Sequence, residues 1–241
     1  KGVELNRDII IQFHLIDDAC YYGDLSFFNF LMSYEPEITY ADQCLKTLLK
    51  RYDFFKRTNQ NAQKLNGTYQ IFEKILNDFK VNPNENGIID VAINKCLIDF
   101  LELLYKYGAD FNNLTIDYSQ IRDKNPVSIV NFLIQKGVDI NTIKTEGGYP
   151  IIVEPIEYND LQFVDFLISN GFELNNDIIE KCDLIEKVCN NGEIDLFEKL
   201  LKSEPTIKNP THCLISTLGV HCASIKDHSE LNTRLRIAEI L

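Results

Sequence analysis

The stretch LIQKGVDINTIKTEGGYP, residues 133–150, decides the fold of this chain. Apolar helix-forming residues stop at Gly137, a short polar segment follows, and Pro150 opens the next apolar run. Glycine adopts the left-handed conformation that ends a helix at little cost, and proline is tolerated in the first turn of a helix. The stretch is therefore predicted to join two helix pairs. The first ends at Gly137, residues 142–148 form a projecting finger, and Pro150 begins the second pair.

The same phrase recurs along the chain, each time after an apolar helical stretch except at the start of the sequence. Its relatives are KGVELN (1–6), YEPEIT (34–39), FKVNPN (79–84), YGADFN (107–112), NGFELN (170–175) and SEPTIK (203–208). The glycine position falls at 2, 35, 80, 108, 137, 171 and 204, in steps of 33, 45, 28, 29, 34 and 33 residues. A period of this size is the signature of a repeat protein.

A turn is predicted inside each repeat, twelve residues before the helix-ending glycine position. These turns fall at Gly23, about Thr68, Cys96, Asn125, Asn159 and Gly192, with a further one at Gly219. Each repeat is thus predicted to be a helix–turn–helix unit. Pro155 lies inside the first helix of its repeat and should kink or shorten it.

These units resemble the ankyrin repeat, a thirty-three-residue helix–turn–helix unit with the pattern G-x-T-P-L-H-x-A-A-x-x-G…V-x-x-L-L-x-x-G-A-D-x-N. The best matches are 147–175, 19–38 and 91–112, and the resemblance covers essentially the whole chain. The tail of the pattern is well kept, whereas its T-P-L-H start is echoed only at 149–152 and 209–212. The resemblance implies an all-α, ankyrin-like helix-turn-helix solenoid with short β-hairpin or loop fingers. Loss of T-P-L-H predicts an irregular stack.

We expect one repeat array over 1–241, with three departures from the family. Residues 39–84 form an enlarged unit with two longer helices, and residues 219–233 form an insertion before RLRIAEIL at 234–241. The chain opens on a glycine tail and stops before another, so truncated repeats are expected at both ends. These features predict a piece of a longer protein.

Composition and charge restrict the function. The 241 residues carry a net charge of −12, which disfavours nucleic-acid binding. The basic run at 45–57 is interpreted as the solvated face of a helix. No apolar run approaches the length of a membrane span, so no membrane insertion is expected. Seven irregularly spaced cysteines predict reduced thiols in a cytoplasmic or nuclear, intracellular protein.

No catalytic motif is present, so the sequence predicts no enzyme activity, no catalytic residue and no cofactor. The best zinc candidates lie at 211–228: His212, Cys213, His221, Cys222 and His228. Adjacent His-Cys pairs point in different directions on a helix, and His212 aligns with the structural histidine of T-P-L-H. No metal site is therefore predicted. Cys182 and Cys189 are interpreted as buried apolar residues rather than a redox pair.

The resemblance also implies where a partner binds, because ankyrin repeats bind through their concave side. Carried over by position, the residues just before each turn are Tyr21, Tyr22, Asn94, Lys95, Asp123, Lys124, Glu157, Tyr158, Asn190 and Asn191. The finger contributes Thr145 and Glu146. Tyr22 and Tyr158 are the first choices as anchors, since tyrosine is enriched in binding hot spots.

Three functions follow from these observations. The first is a non-enzymatic protein–protein interaction module that binds a partner protein on its concave repeat surface. The second is a substrate- or host-target-recognition arm of a larger enzyme or effector whose catalytic domain lies outside this chain. The third is an enzyme with a site formed by the intrusions at 39–66 and 219–233. The acidic net charge predicts a partner with a basic patch.

Overall fold

A computed structural model describes residues 4–38, 40–59, 62–202, 205, 207, 209–219 and 228–240. Helices dominate this part of the chain, so the predicted all-α class is confirmed. The chain divides into two compact units, one formed by 1–111 and 120–132, the other by 112–119 and 133–241.

The first unit contains α1 (Arg7–Gln12), α2 (Leu15–Tyr22), α3 (Leu25–Met32), α4 (Ala41–Arg57), α5 (Ala62–Phe79), α6 (Ile88–Asn94) and α7 (Ile98–Lys106). Both units contribute residues to α8 (Tyr118–Ile121) and α9 (Pro126–Gln135). Within the first unit, α2 packs against α4, α4 packs against α6, and α3 packs against α5. Helices of neighbouring repeats therefore stack on one another.

The second unit contains β1 (Thr115–Ile116), β2 (Lys144–Thr145), α10 (Val153–Glu157), α11 (Leu161–Ser169), α12 (Asn176–Lys181), α13 (Leu184–Asn191), α14 (Ile194–Leu201), α15 (Pro210–Gly219) and α16 (His228–Ile240). β1 and β2 pair in parallel, with Thr115 opposite Lys144. Here α10 packs against α13, α13 against α15, and α14 against α16. No helix among the described residues is long and apolar enough to cross a membrane.

The twelve-residue frame predicted from the sequence is present in the backbone. Positive φ angles occur at the predicted turns Gly23 (64°), Cys96 (53°), Asn125 (121°), Asn159 (58°) and Gly192 (76°). They occur again twelve residues later at Glu35 (50°), Gly108 (92°), Gly137 (86°) and Gly171 (96°). Glu35 adopts this conformation although it is not glycine, so the geometry of the repeat persists where its signature residue is lost. The partner position of Gly192, residue 204, lies outside the described residues.

The predicted turn near Thr68 is wrong. Thr68 is buried within α5, and its Oγ1 donates a hydrogen bond to the Lys64 carbonyl oxygen at 2.7 Å. The turn is instead at Asn59, which follows α4 and has φ 51°. Residues 71, 72, 75 and 76 of α5 form a buried stripe at helical spacing, so nothing interrupts the helix at residue 68. The α4 and α5 helices, with 17 and 18 residues, are accordingly much longer than the helix pairs of the other repeats.

The repeat after the opening stretch begins later than predicted. α10 starts at Val153 rather than Pro150 and has only five residues. The expectation that Pro155 would shorten this helix is confirmed. Pro155 lies in the first turn, where backbone N–H groups have no partner within the helix, so its missing N–H removes no helical hydrogen bond.

Two short helices that the sequence reading missed precede the first and last clear repeats. α1, α2 and α3 begin 169 residues before α12, α13 and α14, respectively, and the paired helices have equal lengths. Asn6 caps α1 by accepting a hydrogen bond from the Ile9 N–H, and Asn175 caps α12 from Ile178, both at 3.0 Å. The asparagine that ends the repeat tail thus starts an extra helix in these two places.

The C-terminal part differs in detail from the prediction. α16 begins at His228, six residues before the predicted start at Arg234. Residues 220–227 of the predicted insertion lie outside the described residues.

Candidate protein-binding surface

The end of α2 presents two exposed tyrosines in a fixed arrangement. The rings of Tyr21 and Tyr22 meet edge to face with their centroids 5.2 Å apart, and 46% and 57% of these residues are exposed. The Arg51 guanidinium of α4 lies 4.1 Å from the centroid of the Tyr21 ring, and its Nε donates a hydrogen bond to the Tyr21 carbonyl oxygen at 2.9 Å. Arg51 therefore holds one aromatic ring from its face and anchors the backbone beneath it.

A cavity of about 600 Å³ opens beside Tyr22. The turn after α2 and the start of α3 form one wall, and Gln63, Lys64 and Asn66 of α5 form the other. Gly67 of α5 approaches the turn so closely that a Cβ there would lie 2.5 Å from the Gly23 carbonyl oxygen. The enlarged unit thus adds a polar wall next to the tyrosine predicted as an anchor.

The predicted residues Lys95 and Lys124 lie at a second site in the first unit, which we call the basic pocket. It consists of two cavities of about 230 and 300 Å³ that share Lys56, Cys96, Leu97 and Lys124 in their linings. Four cationic side chains surround the pocket: Lys56, Arg57, Lys95 and Lys124. They come from the end of α4, the turn after α6 and the turn before α9.

Buried Asp53 organises part of this pocket. Its side chain accepts a hydrogen bond from Arg57 Nη2 at 2.7 Å, and Lys95 Nζ lies 3.6 Å from the same carboxylate oxygen. Lys124 Nζ donates a hydrogen bond to the carbonyl oxygen of Asn94, the residue next to Lys95, at 2.7 Å. Asp123 is exposed and lies 3.6 Å from the Arg122 Nε atom.

Cys96 lies half-buried between these cations, in the turn itself. Burial raises the pKa of the Cys96 thiol, the positive charge of Lys124 lowers it, Asp53 raises it and Lys56 lowers it, with a net upward shift. The thiol is therefore protonated at neutral pH and is a poor nucleophile. This chemistry suits a binding pocket better than a catalytic one.

Sequence reasoning missed Lys56, Arg57 and Asp53 as members of this site. Their signal was the basic run at 45–57, which was interpreted as a solvated helix face. Lys56 and Arg57 at the end of α4 are indeed exposed, and in addition they line a cavity. The reason is that the long α4 brings its last turn level with the turns of the two following repeats.

In the second unit the predicted residues also lie beside their turns. Glu157 forms a salt bridge with Lys187, and exposed Tyr158 has its ring 6.0 Å from that of Tyr118. Asn191 Nδ2 donates to the Ile156 carbonyl oxygen at 2.7 Å. Asn190 is exposed.

One of the two contact residues predicted in the finger, Thr145, is wrong. Thr145 is only 1% exposed, because it belongs to β2 and packs against β1. Its backbone N–H donates to the Tyr149 carbonyl oxygen at 2.7 Å, and Gly148 N–H donates to the Thr145 carbonyl oxygen at 2.9 Å. The exposed tip is therefore formed by residues 146–148, and Glu146 is available to a partner whereas the Thr145 side chain is not.

The candidate zinc residues are only partly described. His212 Nδ1 lies 2.9 Å from a Glu186 carboxylate oxygen, and Cys213 is buried. His221, Cys222 and the side chain of His228 lie outside the described part of the structure. In the described part of the chain, no three His, Cys, Asp or Glu side chains are grouped so that they could hold a metal ion. Cys182 and Cys189 are both buried.

Comparison with known proteins agrees with this architecture. The chain is 27% identical over 110 residues to a fowlpox virus (strain NVSL) protein that is named as a putative ankyrin repeat protein. The aligned segment covers 38% of this chain and 26% of the viral protein. The chain thus spans about a quarter of the length of this relative. No family model matches the chain, and no solved structure matches it. The helices and this similarity together give an all-α, ankyrin-like helical repeat fold.

Proposed function

We propose that this chain is a non-enzymatic protein-binding module that contacts a partner protein through the turn side of its repeats. This is the side that the ankyrin resemblance identifies as concave. The observation that carries the proposal is the arrangement of Tyr21, Tyr22 and Arg51. The two tyrosines are about half exposed and meet edge to face. Arg51 holds the Tyr21 ring by a cation–π contact and the Tyr21 backbone by a hydrogen bond.

Such an arrangement favours binding for a thermodynamic reason. Ordering a mobile side chain at an interface costs about 0.5–1.5 kcal/mol, and a side chain already fixed in the free protein avoids most of this cost. Tyrosine also supplies apolar area and a hydroxyl group to the same contact. The cavity of about 600 Å³ beside Tyr22 has room for side chains of the partner.

The remaining predicted turn residues add contacts within each unit. Asn94, Lys95 and Lys124 in the first unit and Tyr158 and Asn190 in the second serve as further contacts in the proposal. The net charge of −12 favours a partner whose facing surface is basic overall. The same turn residues would serve the second candidate function, a recognition arm of a larger enzyme or effector.

The test compares two exposed aromatic pairs of the first unit. Proteins are captured from a lysate of the cells that naturally make this chain. The bait is the tagged wild type, the variant Tyr21→Ala/Tyr22→Ala or the control Phe30→Ala/Tyr34→Ala. Phe30 and Tyr34 also meet edge to face, with centroids 5.6 Å apart, but they lie towards the other end of α3. Proteins retained by the wild type and the control, and lost with the tyrosine variant, support the proposal. An identical set with all three chains contradicts it.

A further inference from the structure

We propose that the basic pocket, lined by Lys56, Arg57, Lys95 and Lys124, binds a short acidic segment of the partner protein. The inference rests on the proposed function and specifies the chemistry of one contact. It differs from what the net charge of the chain predicts, because this local surface has the opposite sign. The occupant is a run of aspartate or glutamate side chains.

The charges that face the pocket do not balance. Four cations surround it, whereas the carboxylates of its lining belong to Asp53 and Asp99. Asp53 is 6% exposed and is shared between Arg57 and Lys95. Lys124 is held by a neutral carbonyl oxygen, and Lys56 has no ion pair among the residues described here. The pocket therefore retains a positive charge that an incoming carboxylate would offset.

The start of α7 contributes to the same charge. The corresponding helices α3 and α11 are capped by Asp24 and Asp160, which accept hydrogen bonds from Phe27 and Phe163 N–H groups at 3.0 Å. Leu97 occupies that position before α7 and provides no side-chain cap. The N-terminal end of a helix carries partial positive charge, and here residues 97–100 line the pocket. Asp99 already places one carboxylate in the first turn of α7, and an acidic side chain from a partner would add the capping interaction that Asp24 and Asp160 supply to α3 and α11.

The size and setting of the pocket favour a short peptide segment over a nucleic acid. The two cavities of about 230 and 300 Å³ accommodate a few side chains. A phosphodiester backbone needs a continuous basic track, because its affinity grows with the number of phosphates neutralised. Outside the pocket the chain is strongly acidic, with a net charge of −12 overall.

The binding test uses a fluorescein-labelled peptide with six consecutive glutamates and follows its fluorescence anisotropy. Lys56→Gln/Lys124→Gln should weaken binding about tenfold, since each removes one partly exposed ion pair. The control Lys50→Gln/Lys74→Gln removes the same charge from exposed positions outside the pocket and should stay within about twofold. An unchanged affinity in the pocket variant overturns the inference, as does equal binding of a hexalysine peptide. Tighter binding of a twenty-nucleotide oligothymidine overturns the assignment to an acidic protein segment.

Cys96 provides a second readout inside the pocket. The glutamate peptide should slow alkylation of Cys96 by iodoacetamide at least threefold in the wild type, measured by mass spectrometry of the peptide that contains this residue. The pocket variant should show no such protection, and protection of equal size in both chains contradicts the proposed location. Loss of a natural partner with Tyr21→Ala/Tyr22→Ala but not with Lys56→Gln/Lys124→Gln would reject this inference and leave the proposed function intact. Conversely, if the chain binds the glutamate peptide but retains no partner protein, the proposed function is rejected and the acidic specificity of the pocket is kept.

Discussion

The side-chain oxygen of Asn141 accepts a hydrogen bond from the backbone N–H of Glu173 at 2.8 Å. The Nδ2 group of the same asparagine donates to the Gly171 carbonyl oxygen at 3.2 Å. Asn141 ends the tail of one repeat, and residues 171–173 form the tail of the next. A single amide therefore joins two consecutive tails through both of its polar atoms.

Asn84 makes the equivalent pair of bonds two repeats earlier in the chain. Its Oδ1 accepts from the Asp110 N–H at 2.7 Å and its Nδ2 donates to the Gly108 carbonyl oxygen at 3.0 Å. Asn84 connects two repeats that have lost T-P-L-H, and Asn141 connects such a repeat to the one that echoes this segment at 149–152. The part of the pattern that the sequence keeps thus provides a link between neighbouring repeats.

Replacing Asn141 with alanine should therefore destabilise the second unit. Two hydrogen bonds to the backbone are lost, and we expect a decrease of about 1–2 kcal/mol in the free energy of unfolding, measured by urea denaturation. The control Asn190→Ala removes an exposed amide in the same unit and should change this free energy by less than about 0.5 kcal/mol. Equal stability of the two variants would argue against this link.

Gly67→Ala tests the close approach of α5 to the turn after α2. Alanine at a helical position normally stabilises by about 1 kcal/mol relative to glycine. Here the new Cβ would lie 2.5 Å from the Gly23 carbonyl oxygen, a backbone atom that cannot rotate away. We expect a net loss of about 1–2 kcal/mol in thermal or urea unfolding. A gain in stability would mean that the two backbones are further apart than described.

Lys80 tests the helix-ending position of the enlarged repeat. It has φ 49°, a conformation that costs a residue with a Cβ about 1 kcal/mol or more. Lys80→Gly should be more stable than Lys80→Ala by about 1 kcal/mol, because both lose the lysine side chain and only alanine keeps the strain. If alanine is the more stable substitution, residue 80 does not end its helix in the left-handed conformation.

Glu154 of α10 predicts a dependence of stability on pH. Burial raises the pKa of its carboxyl above the ordinary 4.5, and the neighbouring Asp117 and Glu157 carboxylates raise it further. A raised pKa in the folded state means that the favourable contribution of the protonated acid is lost as the pH rises through that value. Glu154→Gln should therefore be more stable than the wild type at pH 7. This advantage should shrink as the pH falls through the raised pKa of Glu154 towards 4.5. Urea unfolding of both chains at pH 7 and pH 4 measures the change, and an equal advantage at both pH values would contradict the prediction.

The fold was predictable from sequence wherever local chemistry controls the backbone. The spacing between turn and tail located Gly23, Cys96, Asn125 and Asn159 correctly, because a left-handed residue is needed at each position. The turn at Asn59 escaped detection, because the constant spacing fails where α5 is lengthened. The helices α1 and α12 escaped detection because each is only six residues long.

The candidate surface was predictable only in part. Residues just before each turn could be named by position, and most of them are exposed or half-buried. Thr145 of the finger is the exception, because it is buried where β2 pairs with β1. This pairing could not be predicted locally, since β1 lies about thirty residues earlier in the sequence. The contributions of Arg51, Lys56 and Arg57 depend on how far α4 extends, and no local pattern encodes that relationship. Whether one array spans the whole chain stays a prediction.

The central claim is that the turn side of the repeats binds a partner protein. The most direct measurement is the dissociation constant of one purified partner, obtained by isothermal titration calorimetry, for the wild type, Tyr21→Ala/Tyr22→Ala and Phe30→Ala/Tyr34→Ala. Hot-spot residues contribute about 2 kcal/mol or more, so the tyrosine variant should bind at least about thirtyfold more weakly, while the control binds like the wild type. Equal dissociation constants for the wild type and the tyrosine variant would contradict the account.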